Sequence, residues 1–463
     1  MINPLSIIKW QKGGALSESA EKRLSIIGSV DNLEVTGTRY YISQNGDDVA
    51  DGKSPETAWR TLEKLTASRE LLKAGDAVLF ERGSVFRQEN RVRAELCENN
   101  CILAVSGVSY GAYGVGPKPA FFGSSFNYAE RSWKKVSDNV WQTEFSLQDA
   151  GIIVFNQGEF IGIKKYSLDD LSYGNDYYHD IDKGILYLYS ENGSPSEYYK
   201  DIEIGCNRPV FLFCGHAGNV TIENLDIRYV GGHAISGYEF NHDIVIRNCE
   251  ISWVGGSWQQ QNVVRYGNAV QFWDSCWDIL IEDCWIYQVY DAGLTFQGGK
   301  GAEYKNITFK NNLIQYCNYC IEYFIQGTQN EEGKYKTTGL LENINFCGNI
   351  MQFAGYGVCE QRPDKMDSCH ICGWATDVGK DVKQFNITDN IFDLSACHFI
   401  YWIWDEEGTT KVSDNKFYMR KAFSDSAIKY GIAGQISATN QTELLKAVDV
   451  FDKAPKCVKW LEE

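Results

Sequence analysis

Two acidic residues, Asp291 in QVYDAGLTFQ and Glu322 in YCIEYF, occupy short alternating segments of the same kind, and a third, Glu360, ends a similar segment in YGVCEQRPD. Carboxyl groups brought together on one surface can do acid–base work. One protonates a leaving oxygen while another attacks or activates water, as in glycoside hydrolysis. The acid needs a raised pKa, which neighbouring carboxylates and aromatic burial supply. Glu322 and Asp291 are the expected working pair, with Glu360 in reserve. Four residues of strand span about 13 Å, so Asp291 reaches Glu322 only if the chain bends before the strand; otherwise Glu322 and Glu360 are the better pair. The bland alternative for each acid is a satisfied turn or ladder carboxylate.

These segments must be positioned by something repetitive. A phrase recurs as NVTIENLDI from Asn219, DIVIRNCEI from Asp243, DILIEDCWI from Asp278, NITFKNNLI from Asn306, NINFCGNIM from Asn343 and QFNITDNIF from Gln384. Its period-two alternation marks strands, and its recurrence marks a repeat architecture. A second phrase follows the first five copies: HAISGY at His233, NAVQFW at Asn268, AGLTFQ at Ala292, YCIEYF at Tyr319 and YGVCEQ at Tyr356. Strands that cannot bury their own inner face must stack on the next coil. The expectation is an all-β fold, a right-handed parallel β-helix, in which Cys249 stacks on Cys284. Ile227, Ile251, Ile286, Ile314, Met351 and Phe392 should form one inward ladder. An antiparallel sandwich or propeller is disfavoured because two-residue hairpin signals are missing.

Aligning the second phrase places Ile235, Val270, Leu294, Ile321, Val358 and Phe399 inward. The next residues then point outward: Ser236, Gln271, Thr295, Glu322, Cys359 and Ile400. Two further on, the outward row reads Tyr238, Trp273, Gln297, Phe324, Gln361 and Trp402. Aromatic platforms beside hydrogen-bonding side chains suit a sugar. The expected substrate contacts are Gln271, Trp273, Asp274, Thr295, Gln297 and Trp402, with His233 and with Arg362, Asp364 and His370 from an interrupting segment. Cys369 and Cys372 form a single CxxC, too little for a zinc site, so no metal is expected there. Asp47, Asp48 and Asp51 form a loop able to hold Ca²⁺; an ordinary solvated turn is the favoured reading.

A net charge of −17 argues against nucleic acid and anionic membranes as partners and mildly against a polyanionic substrate. Fifteen scattered cysteines read as buried free thiols of a reducing compartment. With no leader-like start and no run of transmembrane length, the expectation is a cytoplasmic protein. Residues 1–39 should lead into or cap the solenoid, with a helix around Ser17–Ile27. Residues 40–435 should form the β-helix, carrying a small antiparallel insertion at about 140–203 whose Tyr173, Tyr177 and Tyr178 are able to wall a sugar site. Residues 436–463 should form a helical cap. Ser54-Pro55 reads as a helix start.

The run Tyr40–Phe86 resembles the N-terminal cap and first coil of bacterial β-helix carbohydrate-active enzymes. FWDSC, YDAGLTFQ, CIEYF and GYGVCEQRPD resemble segments of bacterial β-helix proteins near glycoside hydrolase families 136 (lacto-N-biosidase) and 141, over most of Tyr40–Leu394. The closely spaced aspartate pair associated with the lacto-N-biosidases has no counterpart around Asp291, so no residue role is carried over. The favoured reading is a glycosidase acting on a neutral oligosaccharide without a cofactor. Its alternatives are a polysaccharide lyase or uronan epimerase, and a non-catalytic glycan-binding solenoid. Sugar, linkage and oligomeric state stay open.

Overall fold

Each copy of the first phrase opens on a residue with left-handed backbone. Asn219, Asp243, Asp278, Asn306, Asn343 and Gln384 have φ between 50° and 60°. Asn and Asp head most copies because their short polar side chains tolerate this conformation. A second left-handed residue follows five positions on, at Asn224, Asn248, Asp283, Asn311, Gly348 and Asp389. A third interrupts the next strand, at Tyr229, Trp253, Gln288, Tyr316, Phe353 and Leu394. The chain thus bends at matching points in every coil, and each strand meets its equivalent in the next coil in parallel register.

The computed structural model describes residues 15–27, 33–88, 101–326, 328–329, 335–336, 339–362, 368–374, 382–401, 409–420, 427–430, 434–437 and 458–461. Among these, a ten-stranded parallel sheet starts at Arg39–Ile42 and ends at Thr410–Ser413. A larger sheet supplies two further parallel faces, one through Asp226–Val230, the other through Ile235–Tyr238. The fold is all-β, a parallel β-helix with antiparallel additions. Ile227, Ile251, Ile286, Ile314, Met351 and Phe392 pair rung on rung, all fully buried, as the repeat required.

One turn carries a polar ladder. The buried Cys249 and Cys284 give way in successive coils to buried Asn312, Asn349, Asn390 and Asn415. Asn349 Oδ1 accepts both the backbone N–H and the side-chain amide of Asn312 at 3.0 Å. Asn349 Nδ2 donates to Phe309 O at 2.9 Å and to Asn390 Oδ1 at 3.0 Å. Asn390 repeats the pattern with Asn415. Each amide satisfies two buried backbone groups of the preceding coil and bonds the amide of the next, so the ladder fixes rung register as well as closing the turn.

The insertion is antiparallel. Asp176–Asp180, Ile185–Tyr189 and Val140–Glu144 pair in one sheet, and Ala150–Phe155 pairs with Ile202–Cys206 in another. Tyr177, expected at a sugar-facing edge, is instead buried in the insertion's own core, its hydroxyl donating to Gly151 O at 2.7 Å. Ser54 caps a short 3₁₀ turn with Pro55 at its first position. The helix Ala15–Ile26 packs Ala20 against Leu313 and Ile350, so it lies along the flank of middle coils. The expected C-terminal helix, at 442–451, lies outside the described residues; Gly434–Ser437 and Val458–Leu461 on either side of it are strands. Among the described residues, no helix is long and apolar enough to cross a membrane.

Asn349→Ala strips partners from Asn312, Phe309 and Asn390 at once. It should destabilise the fold by about 2–4 kcal/mol, read from urea denaturation. Asn345→Ala, in the part-buried side-chain row of Asn343, Asn345 and Asn386 and away from the left-handed corners, should cost about 1 kcal/mol or less.

Candidate active site

Glu322 lies in the strand Leu313–Ile325, between Ile321 and Tyr323, which both enter the solenoid core. Alternation turns Glu322 outward. It pairs with Thr295 on one side and Cys372 on the other. Although on the outer face, it is only 5% exposed. Trp374 Nε1 donates to its Oε1 at 2.5 Å and Thr295 Oγ1 to its Oε2 at 3.4 Å. Burial pushes its carboxyl up from 4.5 to about 8; the Asp291 charge adds to the rise, and Trp374, Arg362 and Thr295 oppose it.

Asp291 is brought close by the bend that the sequence required. The long strand Trp285–Gly298 slips register against its neighbour between Val289 and Ala292, and Asp291 stands in that slip. Arg362 Nη1 pairs with Asp291 Oδ1. The same guanidinium lies 5.5 Å from the Tyr290 ring centre and 5.8 Å from that of Tyr319. Arg362, Asp291 and Glu322 all act on the buried Tyr319 phenol, whose pKa burial drives far up. The site therefore gathers a protonated acid, a carboxylate in an ion pair and two tyrosine rings.

The insertion holds Arg362 in place. Gln361 Nε2 donates to Gly162 O at 2.9 Å, and Gln361 Oε1 accepts the Lys164 N–H at 3.2 Å. Arg265 Nη2 approaches the same oxygen at 3.5 Å. Lys164 is itself buried against Asp149 at 2.5 Å, with its ammonium 4.8 Å from the Trp258 ring centre. Burial lowers Lys164 to about 7, against the pull of Asp149. Lys164, Asp149, Tyr290, Tyr319 and Trp374 were not singled out as site residues from sequence. Their signal, an aromatic or charged residue just outside a strand phrase, is common to much of this chain.

The outward row contains Gln271 and Thr295 as expected, and Gln297 lies two positions on. Gln271 Oε1 accepts from Asn268 Nδ2 and from Gln297 Nε2, both at 2.9 Å. Trp273 is half-buried. Asp274 accepts the Gly299 N–H at 3.2 Å and so closes its own loop. His233 Nδ1 accepts the Asn268 N–H at 3.0 Å, and burial lowers the ring to about 3, keeping it neutral. Asp364 and Trp402 lie outside the described residues.

Three expectations change. The fifth coil's outward strand is Cys369–Gly373, not the YGVCEQ segment: Ile371 pairs with Ile321, and Cys372 takes the place given to Cys359. In the sixth coil, Ile400 pairs inward with Ile371 and Tyr401 follows Cys372. Glu360 is displaced accordingly. It sits in the 3₁₀ turn Gly357–Gln361 and accepts the Gly357 N–H at 3.0 Å, capping that turn. His370, expected to touch substrate, is fully buried and faces the core, stacked on Phe399 at 5.7 Å. Burial lowers its ring to about 3.

A second acidic group lies beside the early coils. Arg87 grips Glu203 through two bonds of 2.7 and 2.6 Å, and Arg228 pairs with Asp226 at 2.5 Å. Burial raises Glu203 to about 7 and Asp226 to about 6. Each carboxylate there is matched by an arginine, and the Arg87–Glu203 pair ties the insertion's last strand to an early coil. In the loop once read for Ca²⁺, Asp48 accepts the Arg60 and Thr61 N–H groups and the Thr61 hydroxyl, and Asp51 accepts the Thr57 hydroxyl. Among the described residues, no group of three or more His, Cys, Asp or Glu is placed to hold a metal.

No protein-family model and no curated protein matches this sequence. Solved structures do. The complex of XylC with xylose is 12% identical over 86% of this chain and 73% of its own, with a TM-score of 0.44. The GH136 lacto-N-biosidase from Eubacterium ramulus is 15% identical over 89% of this chain and 68% of its own, with a TM-score of 0.35. Pectate lyase Pel9A is 11% identical over 88% of this chain and 73% of its own, with a TM-score of 0.42. These likenesses are of general architecture, shared by hydrolases and lyases, and no residue role or substrate is taken from them. They establish no kinship with families 136 or 141 in particular.

Glu322 also sets a pH dependence of stability. Its proton is held more tightly in the folded chain than in the unfolded one, where the carboxyl titrates near 4.5. The resulting penalty is absent below about 4.5, grows as pH rises and is complete above about 8. Glu322→Gln, which cannot ionise, should lose less stability than the wild type across that window, measured as urea midpoints from pH 4 to 9.

Proposed function

We propose that this protein is a glycoside hydrolase acting on a neutral oligosaccharide, with Glu322 as general acid and Asp291 as the partner carboxylate. One observation carries the reading: two carboxyl groups of one site are driven apart in protonation. Glu322 is buried against Trp374 and keeps its proton to about 8, while Asp291 is the negative member of an ion pair with Arg362. That division is what leaving-group protonation on one side, and attack or water activation on the other, demands. Tyr290 and Tyr319, both buried, pack beside the ion pair. The outward rows through Gln271 and Thr295 add hydrogen-bonding groups and no Lys or Arg among the described residues, which suits an uncharged sugar.

One observation favours a second reading. The Arg265 and Arg362 guanidinium groups both lie over Tyr290, and a lyase or epimerase uses such cations to neutralise a uronate carboxylate. Product analysis separates the two, because a lyase leaves an unsaturated sugar that absorbs in the ultraviolet.

Release of reducing ends from neutral oligosaccharides should fall about 10²–10⁴-fold in kcat for Glu322→Gln, and heavily for Asp291→Asn. Since the acid must hold its proton, wild-type turnover should decline as pH rises through about 8. A fully active Glu322→Gln variant would overturn the assignment, and tight binding without turnover by the wild type would favour a glycan-binding solenoid.

A further inference from the structure

Beside the row that holds Glu322 runs a second outward row. Cys214, Tyr238, Trp273, Gln297 and Phe324 pair in sequence on consecutive rungs. Tyr238 is 38% exposed, and Phe240, at the turn after it, is 43% exposed. His216 stacks on Phe240 at 5.0 Å, extending the patch by one coil. Trp273 meets Phe324 edge-on at 6.2 Å across the Gln297 rung. Read from Glu322 toward the N-terminal coils, the face offers the Gln297–Gln271 amide pair, then Trp273, then Tyr238. At a rung spacing of about 4.8 Å, the last two stand roughly 10 and 14 Å from the acid's rung. The exposed Tyr238 and half-buried Trp273, in line beside the buried Gln271–Gln297 amide pair, are not needed by the core, and their ring faces match the apolar faces of successive sugars. Glu239 and Asp274 follow Tyr238 and Trp273 in the turns at this rim, and the exposed Lys300 stands in the turn after Gln297.

We infer that these rows form an extended binding site for a neutral glycan lying along the solenoid axis. Its scissile bond sits at Glu322, and its chain runs toward the N-terminal coils over Trp273 and then Tyr238. The inference rests on the glycosidase reading for where the reacting bond lies, and it adds the direction and minimum length of the substrate. Trp374, bonded to Glu322 from the neighbouring C-terminal rung, stands on the opposite side of the acid from this strip.

Calorimetric titration tests it, using xylo-, cello-, manno- and lacto-N-oligosaccharides of two to six sugars against the Glu322→Gln protein, which should bind without turnover. Affinity should rise with chain length to a plateau. Tyr238→Ala should remove about three- to tenfold of affinity from long chains and little from disaccharides, and Trp273→Ala should do so from shorter chains too. Trp273→Phe, which keeps a ring, should retain most of the gain and guards against a folding artefact. Affinity that ignores chain length, equal losses at every length, aromatic variants without effect, or no binding by any series overturns the axial site, whatever Glu322 does. Length-dependent binding lost in both alanine variants, together with full turnover by Glu322→Gln, supports the site and overturns only the role of the acid.

Discussion

Left-handed corners in matching places govern this fold. Each coil turns where a residue holds φ near +55°, and every non-glycine residue in the three sets of corners lies between 50° and 60°. Asn and Asp accept this conformation at little cost, but Tyr229, Trp253, Tyr316 and Phe353 do not. Such bulky residues stay there because the stack over-determines them. Tyr316 and Phe353 lie ring on ring at 5.0 Å and 17°, so the strain of one coil is held by packing against the next. A coil that lost its corner would lose register with both neighbours, and side chains distant in sequence would no longer share a face.

The candidate site follows from a local departure from that regularity. In the coils of Trp285–Gly298 and Leu313–Ile325 the second and third strands run together, and the corner becomes a register slip. Asp291 stands in the slip, four positions before Thr295, which pairs with Glu322, and its charge acts on that carboxyl. Four residues of straight strand would leave the two acids about 13 Å apart along the strand direction. Bulges of this kind re-aim side chains at the rims of sheets, and here the bulge couples two carboxyl groups.

Much of this was legible in the sequence, because the first phrase carries its own register. The position after the second corner reads Leu225, Cys249, Cys284, Asn312, Asn349, Asn390, and it remains one ladder in the structure. The second phrase was less secure. Four alternating residues carry little information, and YGVCEQ imitates them at the expected distance from Asn343. Gly355 and Gly357, with φ of 84° and 87°, turn the chain out of the strand there, and the true rung comes later as CHICG. That displacement moved Glu360 into a turn. His370 follows from the same displacement: read as part of an interrupting segment over the groove, it belongs to the true rung, whose register places it with Phe399 in the core. Trp374 could be recognised as the cover of Glu322 only once the fifth rung was correctly placed.

The remaining question is why a carboxyl group should be buried on the outside of a solenoid at all. An isolated acid there would be replaced at little loss by an apolar side chain, since burial opposes its charge. Glu322 is instead surrounded by groups with separate origins: Trp374 from the next rung, Thr295 from the previous one, and Arg362 from a turn that the insertion clamps through Gln361. Three separate elements converge on one oxygen pair and the acid beside it. Ion pairs elsewhere in the chain are also set among further contacts: Arg87 bonds Ser124 O as well as Glu203, and Arg228 meets both Asp226 and Glu250. At Glu322, burial and the Asp291 charge together favour the proton, an arrangement that costs stability as pH rises and that suits the general acid proposed above.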